Sequence, residues 1–293
     1  MNILLLGKSG QVGWELQRSL AVLGRVTALD HDSTEHCGDF ANPEGVRETV
    51  RALRPDVIVN AAAHTAVDKA ESEPEIARLL NATTPDVLAE EAARLGAWLI
   101  HYSTDYVFYG SGTRPWVQTD APAPLSVYGA TKLEGEGLIQ QSGCRHLILR
   151  TSWVYSTHGK NFLLTMQRLL QERPELRVVA DQIGAPTWAG TIARSTRLLI
   201  ERWQAAEAGA WGVYHLTAQG ETSWFGFTQA IAEPLIAAGK PCAALKPIPA
   251  SDYPTPAARP QNSRLDCSRL GREWGVTQPD WRAALAECVA EQR

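Results

Sequence analysis

The sequence of 293 residues predicts an α/β fold with a doubly wound parallel sheet and a smaller α/β substrate-binding lobe. Three observations lead to this prediction. A glycine-rich turn follows an apolar run at the N-terminus, strand and helix patterns alternate through the first half, and the pattern after residue 155 is less regular and richer in proline and glycine. Strands that alternate with crossover helices are typical of parallel sheets.

The first predicted strand, residues 2–6, is a short apolar run bounded by glycine, as expected of a buried parallel strand. Gly7, Gly10 and Gly13 follow at intervals of three, ahead of a segment with helical apolar spacing. Glycines at this place let a pyrophosphate approach the free N–H groups of a helix N-terminus. The spacing differs from the G-x-G-x-x-G fingerprint, and a plain tight turn is the alternative.

A second predicted strand, residues 25–29, favours the nucleotide interpretation because it ends in Asp30, about 20 residues after the glycines. A carboxylate at this place hydrogen-bonds ribose hydroxyls and repels a 2′-phosphate. We therefore expect a Rossmann-type NAD(P)-binding domain in which Asp30 favours NADH.

Further strands are predicted at residues 56–60, 97–103 and 145–150, and helices at about 43–54, 75–95 and 126–142. Ligands of such sheets bind beyond the carboxyl ends of the strands. Ala61, Ala62 and Ala63 follow one of these strands, and residues 103–105 follow the next. The small alanines would let a cofactor lie close to the backbone, although ordinary packing explains them equally well on their own.

The predicted domains are residues 1–155, an NAD(P)-binding domain to which part of the later chain returns, and residues 156–293, mainly a substrate-binding lobe. Proline and glycine mark loops at residues 184–187 and 253–260. Short helices at about 189–204, 223–238 and 280–290 and a strand at 213–216 lie among them. The substrate is expected in the cleft between the two parts.

Tyr128 and Lys132 lie four residues apart on the predicted helix 126–142 and so share one of its faces. An ammonium beside a phenol favours the phenolate and lowers a pKa that starts near ~10. The resulting acid can give or take a proton near neutral pH. Tyr-x-x-x-Lys occurs by chance on many solvated helices, so its position downstream of the glycine turn is what makes it specific.

The composition argues against several classes of function. The 28 basic and 32 acidic residues leave a formal charge of −4, so no basic surface indicates nucleic acid. No apolar stretch approaches the ~20 residues of a membrane span, and the chain starts directly with a predicted strand, so we expect no membrane association, no signal peptide and a cytoplasmic protein. Five scattered cysteines without C-x-x-C spacing argue against a disulfide framework and a zinc site.

Together these motifs resemble the extended short-chain dehydrogenase/reductase family. Within it, residues 7–13, 60–71, 103–108, 150–155, 181–187 and 259–265 resemble the dTDP-4-dehydrorhamnose reductases, over residues 2 to about 266. The resemblance implies that the C4 ketone of a nucleotide sugar, dTDP-4-dehydro-β-L-rhamnose, accepts a hydride from NADH or NADPH and gives dTDP-β-L-rhamnose. This is the last step of dTDP-L-rhamnose synthesis for cell-surface polysaccharide such as the O-antigen of lipopolysaccharide.

The resemblance also implies roles for single residues. Tyr128 donates the proton to the ketone oxygen, and Lys132 holds the nicotinamide ribose and lowers the Tyr128 pKa. Thr104 hydrogen-bonds the ketone oxygen and Tyr128. Asp105 would bind a sugar hydroxyl, with a loop or capping role as the alternative, and Trp153 would contact the sugar, with a core position as the alternative.

The implied cofactor-binding residues come from the turn, the strand ends and the helix: Gly7, Gly10, Gln11, Val12, Gly13, Asp30, Asp39, Phe40, Ala61, Ala62, Ala63, Thr65, Tyr102, Tyr128 and Lys132. Phe40 would lie against the adenine or is simply buried. NADH is predicted to work, and NADPH is left open. Some family members bind Mg²⁺ at a dimer contact, but Gly190 and Thr191 stand where a metal-associated relative has acidic residues. No metal site is predicted, a Mg²⁺ requirement is unsupported, and a homodimer stays open.

Two other functions remain in competition. One is another extended nucleotide-sugar enzyme, a dehydratase or an epimerase, although Tyr106 stands where the dehydratases carry the glutamate that elimination needs. The other is a non-catalytic nucleotide-binding protein, since a regulatory subunit of methionine adenosyltransferase has a similar scaffold. Consumption of added NADH would separate reduction from both.

Overall fold

The computed structural model describes residues 1–206 and 209–292. Its central sheet has six parallel strands in the order β10-β5-β4-β3-β1-β2. The strands run in chain order: β1 Asn2–Leu6, β2 Arg25–Leu29, β3 Val57–Asn60, β4 Trp98–Thr104, β5 Arg145–Thr151, β6 Val154–Tyr155, β7 Glu175–Val179, β8 Ile183–Gly184, β9 Thr187–Trp188, β10 Gly212–His215, β11 Thr222–Ser223 and β12 Ala244–Ile248.

The helices are α1 Gln11–Leu20, α2 Pro43–Leu53, α3 Val67–Ala70, α4 Pro74–Arg78, α5 Thr84–Leu95, α6 Val127–Gln141, α7 Phe162–Glu172, α8 Ala189–Gln204, α9 Trp224–Ala237, α10 Ser268–Trp274 and α11 Trp281–Ala290. The predicted doubly wound α/β fold is confirmed. The predicted strands and helices agree with the observed ones because the two leave different patterns in the sequence. A buried parallel strand needs an unbroken apolar run, whereas a crossover helix is apolar on one face.

Both faces of the sheet are covered. Alternate residues of β1 point to opposite sides, so Leu5 packs with Leu16 of α1 and Ile192 of α8, while Leu4 packs with Val46 of α2 on the other face. A hydrogen bond of 3.0 Å from Ser19 Oγ to the Ala193 carbonyl also joins α1 to α8. Helix α8 therefore helps to cover this face of the central sheet although it comes from the later chain.

The later chain also adds a strand to the sheet. Strand β10 pairs in parallel with β5, although its pattern had been grouped with the smaller lobe. The rest of that lobe consists of two-stranded pairs, β12 with β7, β11 with β8 and β6 with β9, around a separate apolar cluster that includes Tyr155, Trp188, Phe227 and Trp281. The domain boundary at residue 155 stays a prediction.

The segment predicted as one helix at 75–95 is interrupted. A π-helical turn, Leu79–Thr83, separates α4 from α5. Such turns are frequent at functional sites. This one places Asn81, whose side chain accepts from the His64 N–H at 2.8 Å and donates to Thr131 Oγ1 at 3.1 Å. Asn81 thereby ties the loop after β3 to α6.

Two further features concern the chain as a whole. None of the helices in the described residues is long and apolar enough to cross a membrane. All five cysteines are free thiols.

Candidate active site

A cleft of about 780 Å³ lies at the carboxyl edge of the sheet. The aligned strand ends bring the predicted segments together there, since Leu6 pairs with Asn60 and Thr104 pairs with Thr151. The predicted residues that line the cleft are Gly7, Gly10, Gln11, Val12, Asp30, Asp39, Phe40, Ala61, Ala62, Ala63, Thr65, Tyr102, Thr104, Asp105, Tyr128, Lys132 and Trp153. Gly13 lies behind this lining.

The glycine turn has room for no other side chain at two positions. Gly7 has a φ of +85°, and a Cβ there would lie 2.6 Å from the Ala62 nitrogen. A Cβ on Gly13 would lie 1.9 Å from the Gly7 carbonyl oxygen. Gly10 caps α1 without a side-chain hydrogen bond, so the first N–H groups of this helix are open to an anion. The turn fits the pyrophosphate of a dinucleotide.

Asp30 is held against this turn. Its carboxylate accepts hydrogen bonds from the N–H of Ser9 at 3.0 Å and the N–H of His31 at 2.8 Å, and from the Ser9 hydroxyl. Burial raises the Asp30 pKa, but these hydrogen bonds outweigh it, so the pKa is lower than usual. A permanent carboxylate therefore faces the cleft.

Other predicted cofactor residues serve the protein as well as the cleft. Phe40 is buried in the core against α2, and Asp39 accepts from the Ala41 N–H at 2.9 Å. The Tyr102 hydroxyl is 2.6 Å from Thr196 Oγ1 of α8. Phe40 is therefore buried and also lines the cleft.

Helix α6 carries the predicted tyrosine and lysine. Its N-cap, Ser126, accepts from the Gly129 N–H at 3.2 Å. Lys132 is 2 % exposed and contacts His101 Nε2 at 3.0 Å and the Tyr102 carbonyl at 2.7 Å. Burial lowers the pKa of Lys132 to about 8, although the nearby Glu136 opposes this shift.

The expectation that Lys132 lowers the Tyr128 pKa is wrong for this structure. Burial raises the pKa of the Tyr128 phenol above its ordinary value, and the hydrogen bond with Thr104 only partly offsets this. The negative charge of Asp105 raises the pKa further. The identified hydrogen bonds of Lys132 go to His101 and Tyr102. Tyr128 is therefore a protonated phenol at neutral pH, the form that a proton donor needs.

Thr104 ends β4, Asp105 follows it, and both residues line the cleft. The Thr104 hydroxyl caps a short 3₁₀ turn, Asp105–Val107, by accepting from the Tyr106 N–H at 3.2 Å. It also lies 3.2 Å from Asp105 Oδ1. Burial raises the pKa of Asp105 to about 6, while hydrogen bonds from Ser263 and Thr104 oppose the shift.

This raised pKa predicts a pH-dependent stability. The folded protein holds the Asp105 proton more tightly than the unfolded chain, so stability falls as the pH rises from the ordinary value of 3.8 to about 6 and stays reduced above it. Asp105→Asn removes this loss and should add up to about 3 kcal/mol at pH 7, with little gain at pH 4. Thermal unfolding at both pH values checks it, and an equal effect at the two would contradict it.

An ion pair below α6 was not predicted. Glu136, fully buried, accepts from Arg150 Nη2 at 2.6 Å and Nε at 2.9 Å, and from Ser103 Oγ at 2.5 Å. Glu136 continues the four-residue spacing of Tyr128 and Lys132, which is the signal that could have found it. The pair fixes the face of α6 that carries both residues against β4 and β5.

Trp153 lies in one wall of the cleft. Its φ is +49°, which is unusual for a residue with a side chain and is typical of functional positions. The ring stacks on Trp224, with centroids 3.6 Å apart, and Gly184 leaves it space, since a Cβ there would lie 2.7 Å from Trp153 Cε2. The wall is therefore a stack of Trp153 and Trp224 that packs against Gly184, so it is built from three distant segments.

Sequence reasoning missed the cations of the smaller lobe. Lys160 is exposed, and Arg259 is half-buried with Nη2 2.7 Å from Asp68 Oδ2. Both line the cleft. Phe162 and Trp224 were missed as well, because a lining residue contributed by tertiary packing leaves no local spacing signal. Among the described residues, no group of three or more His, Cys, Asp and Glu side chains could hold a metal ion.

Comparisons with known proteins agree over the whole chain. A family model described as the RmlD substrate binding domain matches residues 1–293. The dTDP-4-dehydrorhamnose reductase of Escherichia coli K12 is 54% identical over 293 residues, which is 99% of this chain and 98% of the relative. A Clostridium acetobutylicum dTDP-4-dehydrorhamnose reductase structure has a TM-score of 0.90 at 34% identity, covering 100% of this chain and 99% of its own. The Bacillus anthracis enzyme in complex with NADP has a TM-score of 0.89 at 32% identity, covering 99% of both chains.

Proposed function

The chain belongs to the dTDP-4-dehydrorhamnose reductase family, and from this premise we propose that its cleft reduces dTDP-4-dehydro-β-L-rhamnose to dTDP-β-L-rhamnose. The observation that carries the proposal is that one cleft joins the glycine turn to Tyr128 and Trp153. The reduced nicotinamide, NADH or NADPH, supplies the hydride. This reaction is the last step of dTDP-L-rhamnose synthesis.

The glycine turn binds the cofactor through backbone groups. Gly7 and Gly13 bring the backbone close enough for a pyrophosphate to meet the N–H groups that begin α1. Asp30 accepts from ribose hydroxyls at the end of β2. Its lowered pKa keeps it charged, so NADH is preferred to a cofactor that carries a 2′-phosphate. Lys132 holds the nicotinamide ribose.

Tyr128 donates the proton to the ketone oxygen as hydride reaches the carbon. A raised pKa keeps the phenol protonated until negative charge develops beside it, which avoids a free alkoxide. Thr104 accepts from the phenol and turns its hydroxyl hydrogen from Asp105 to the same ketone oxygen. Asp105 accepts from a sugar hydroxyl, and Trp153 contacts the sugar.

Lys160 and Arg259 provide the positive charge that the substrate diphosphate requires. The guanidinium of Arg259 is already positioned by Asp68, so it can bind phosphate oxygens with little loss of side-chain entropy. Both cations line the same cleft as Trp153. Charge-assisted bonds of this kind are worth about 1.5–3 kcal/mol each.

We expect Arg259→Gln and Lys160→Ala each to lower kcat/KM for the nucleotide sugar roughly 10- to 100-fold, mainly through KM. Affinity for the reduced cofactor should change little. Arg177→Gln is the matched control, because Arg177 is an exposed arginine paired with Asp252 outside the lining. Initial rates at varied substrate concentration separate the effects on kcat and KM. An unchanged KM in both variants would contradict the proposal that Lys160 and Arg259 bind the diphosphate.

Purified protein supplied with enzymatically made dTDP-4-dehydro-β-L-rhamnose and NADH or NADPH tests the function. Stoichiometric loss of the reduced cofactor with formation of dTDP-rhamnose is expected. An epimerase or dehydratase would convert the sugar without consuming cofactor, and a regulatory nucleotide-binding protein would bind without turnover. The homodimer, the cytoplasmic location and the polysaccharide that receives rhamnose stay predictions.

A further inference from the structure

Three buried polar side chains connect β3 and β4 to helix α6. Asn60 at the end of β3 pairs in register with His101 of β4, and His101 reaches Lys132 of α6. The distances are 2.9 Å from Asn60 Nδ2 to His101 Nδ1 and 3.0 Å from His101 Nε2 to Lys132 Nζ. Asn60 and His101 are each 1 % exposed and Lys132 is 2 % exposed. These contacts are therefore largely shielded from solvent, although Asn60 and Lys132 also line the cleft.

The orientation of Asn60 determines which His101 nitrogen carries the proton. Asn60 Oδ1 accepts the Ala62 N–H at 3.0 Å, so the amide nitrogen must face His101. His101 Nδ1 then accepts, and a neutral imidazole carries its proton on Nε2. Burial, together with the positive charges of Lys132 and His146, keeps the His101 pKa well below its ordinary value.

The Nε2–H of His101 thus points at Lys132 Nζ. An ammonium has three donors and no acceptor, whereas the free amine has a lone pair that can accept this hydrogen. The Tyr102 carbonyl, 2.7 Å away, can accept from either form. The geometry therefore stabilises the amine and makes the Lys132 ammonium a better proton donor than the ammonium of an ordinary lysine.

From this geometry, and on the basis of the proposed reductase function, we propose that His101, oriented by Asn60, is a positioning residue that makes Lys132 a proton carrier instead of a permanent cation. When Tyr128 has given its proton to the substrate oxygen, the Lys132 ammonium returns one towards the phenolate. Lys132 is left as the amine that accepts the His101 Nε2–H, and it regains its proton from solvent.

The other charged groups near Lys132 do not cancel this effect. Glu136, one turn further along α6, would favour the ammonium, but its carboxylate is shared with Arg150 and Ser103. His146, on β5, donates from Nδ1 to the Cys144 carbonyl at 2.9 Å. Tyr128, on the same face of α6, is a neutral phenol.

The first measurement needs no variant. Nitrogen-15 NMR of the wild-type protein distinguishes a histidine protonated on Nε2 from one protonated on Nδ1, and His101→Gln or selective labelling assigns the signal. We expect Nε2–H. A neutral His101 protonated on Nδ1 would overturn the proposal, whether or not any variant folds.

The second measurement follows the Lys132 side chain with carbon-13 at Cε. In His101→Gln the amide oxygen can turn to accept from the ammonium, so the midpoint of Lys132 should rise by about one pH unit or more. The rate of reduction falls as the pH rises through the Lys132 midpoint, and this fall should move upward with it. His146→Gln is the matched control, because His146 is a buried histidine without a hydrogen bond to Lys132. It should leave the Lys132 midpoint and the fall in rate unchanged.

Asn60→Asp, tested with and without His101, separates the effect of the His101 tautomer on Lys132 from the effect of an added negative charge. The new carboxylate makes His101 protonate on Nδ1, so the Lys132 midpoint should rise in the wild-type background and much less in the His101→Gln background. An equal rise in both would mean that charge alone acts, and it would overturn the role of His101. Because the titration requires no turnover, it stands or fails separately from the reductase activity.

Discussion

Tyr128→Phe should lower kcat for reduction of the keto sugar roughly 100- to 10,000-fold, the range that a positioned general acid contributes. The phenyl ring keeps the edge-to-face contact with Tyr106, whose ring centroid is 5.5 Å away, so the packing of the cleft is preserved. What is lost is the hydroxyl, the proton that burial holds on it and the bond with Thr104. Affinity for the reduced cofactor should stay close to that of the wild type.

Steady-state kinetics at saturating cofactor give the loss of rate, and fluorescence titration with NADH gives the affinity. Tyr109→Phe is the matched control, because Tyr109 is exposed and lies outside the lining of the cleft. Retention of more than about a tenth of the rate in Tyr128→Phe would require another proton source.

Arg150→Met should cost about 3–5 kcal/mol of the free energy of unfolding, because it leaves the Glu136 carboxylate buried without its ionic partner. Glu136 is fully buried, and Ser103 would remain as its hydrogen-bond donor. The double variant Arg150→Met with Glu136→Leu should recover much of the loss, since replacing both members of a buried pair is often neutral.

Chemical denaturation of the single and double variants measures this coupling. Arg168→Ala removes an exposed i,i+4 pair with Glu172 and should change stability by less than about 0.5 kcal/mol. A loss in Arg150→Met no larger than that of this control would show that the buried pair does not hold α6. Folded Arg150→Met should also turn over slowly, because α6 carries Tyr128 and Lys132.

Local patterns predicted the nucleotide half of the cleft. A backbone that must approach a phosphate needs glycine, and a helix that presents two side chains together needs a spacing of four, so Gly7, Gly13, Tyr128 and Lys132 are visible in the sequence. The alternating strands placed their ends at one edge, because parallel strands share a carboxyl side. These constraints act over a few residues and so leave a readable pattern.

The remaining half depends on contacts between distant segments. Trp224 stacks on Trp153 from another lobe, and Arg259 is positioned by Asp68 across 191 residues of chain. The predicted direction of the Tyr128 pKa shift was wrong. The sequence shows the spacing between Tyr128 and Lys132, but it shows neither the burial of Tyr128 nor the contact of Lys132 with His101. Burial of a side chain depends on tertiary packing and leaves no local sequence pattern.

Transfer of deuterium from the cofactor to the sugar tests the central claim most directly. The wild-type protein would be given dTDP-4-dehydro-β-L-rhamnose and reduced cofactor carrying deuterium at the transferable position. We predict one deuterium on C4 of dTDP-β-L-rhamnose for each cofactor oxidised, with the rate lost in Tyr128→Phe. Product without deuterium at C4, or sugar conversion without cofactor oxidation, would contradict a hydride reduction in this cleft.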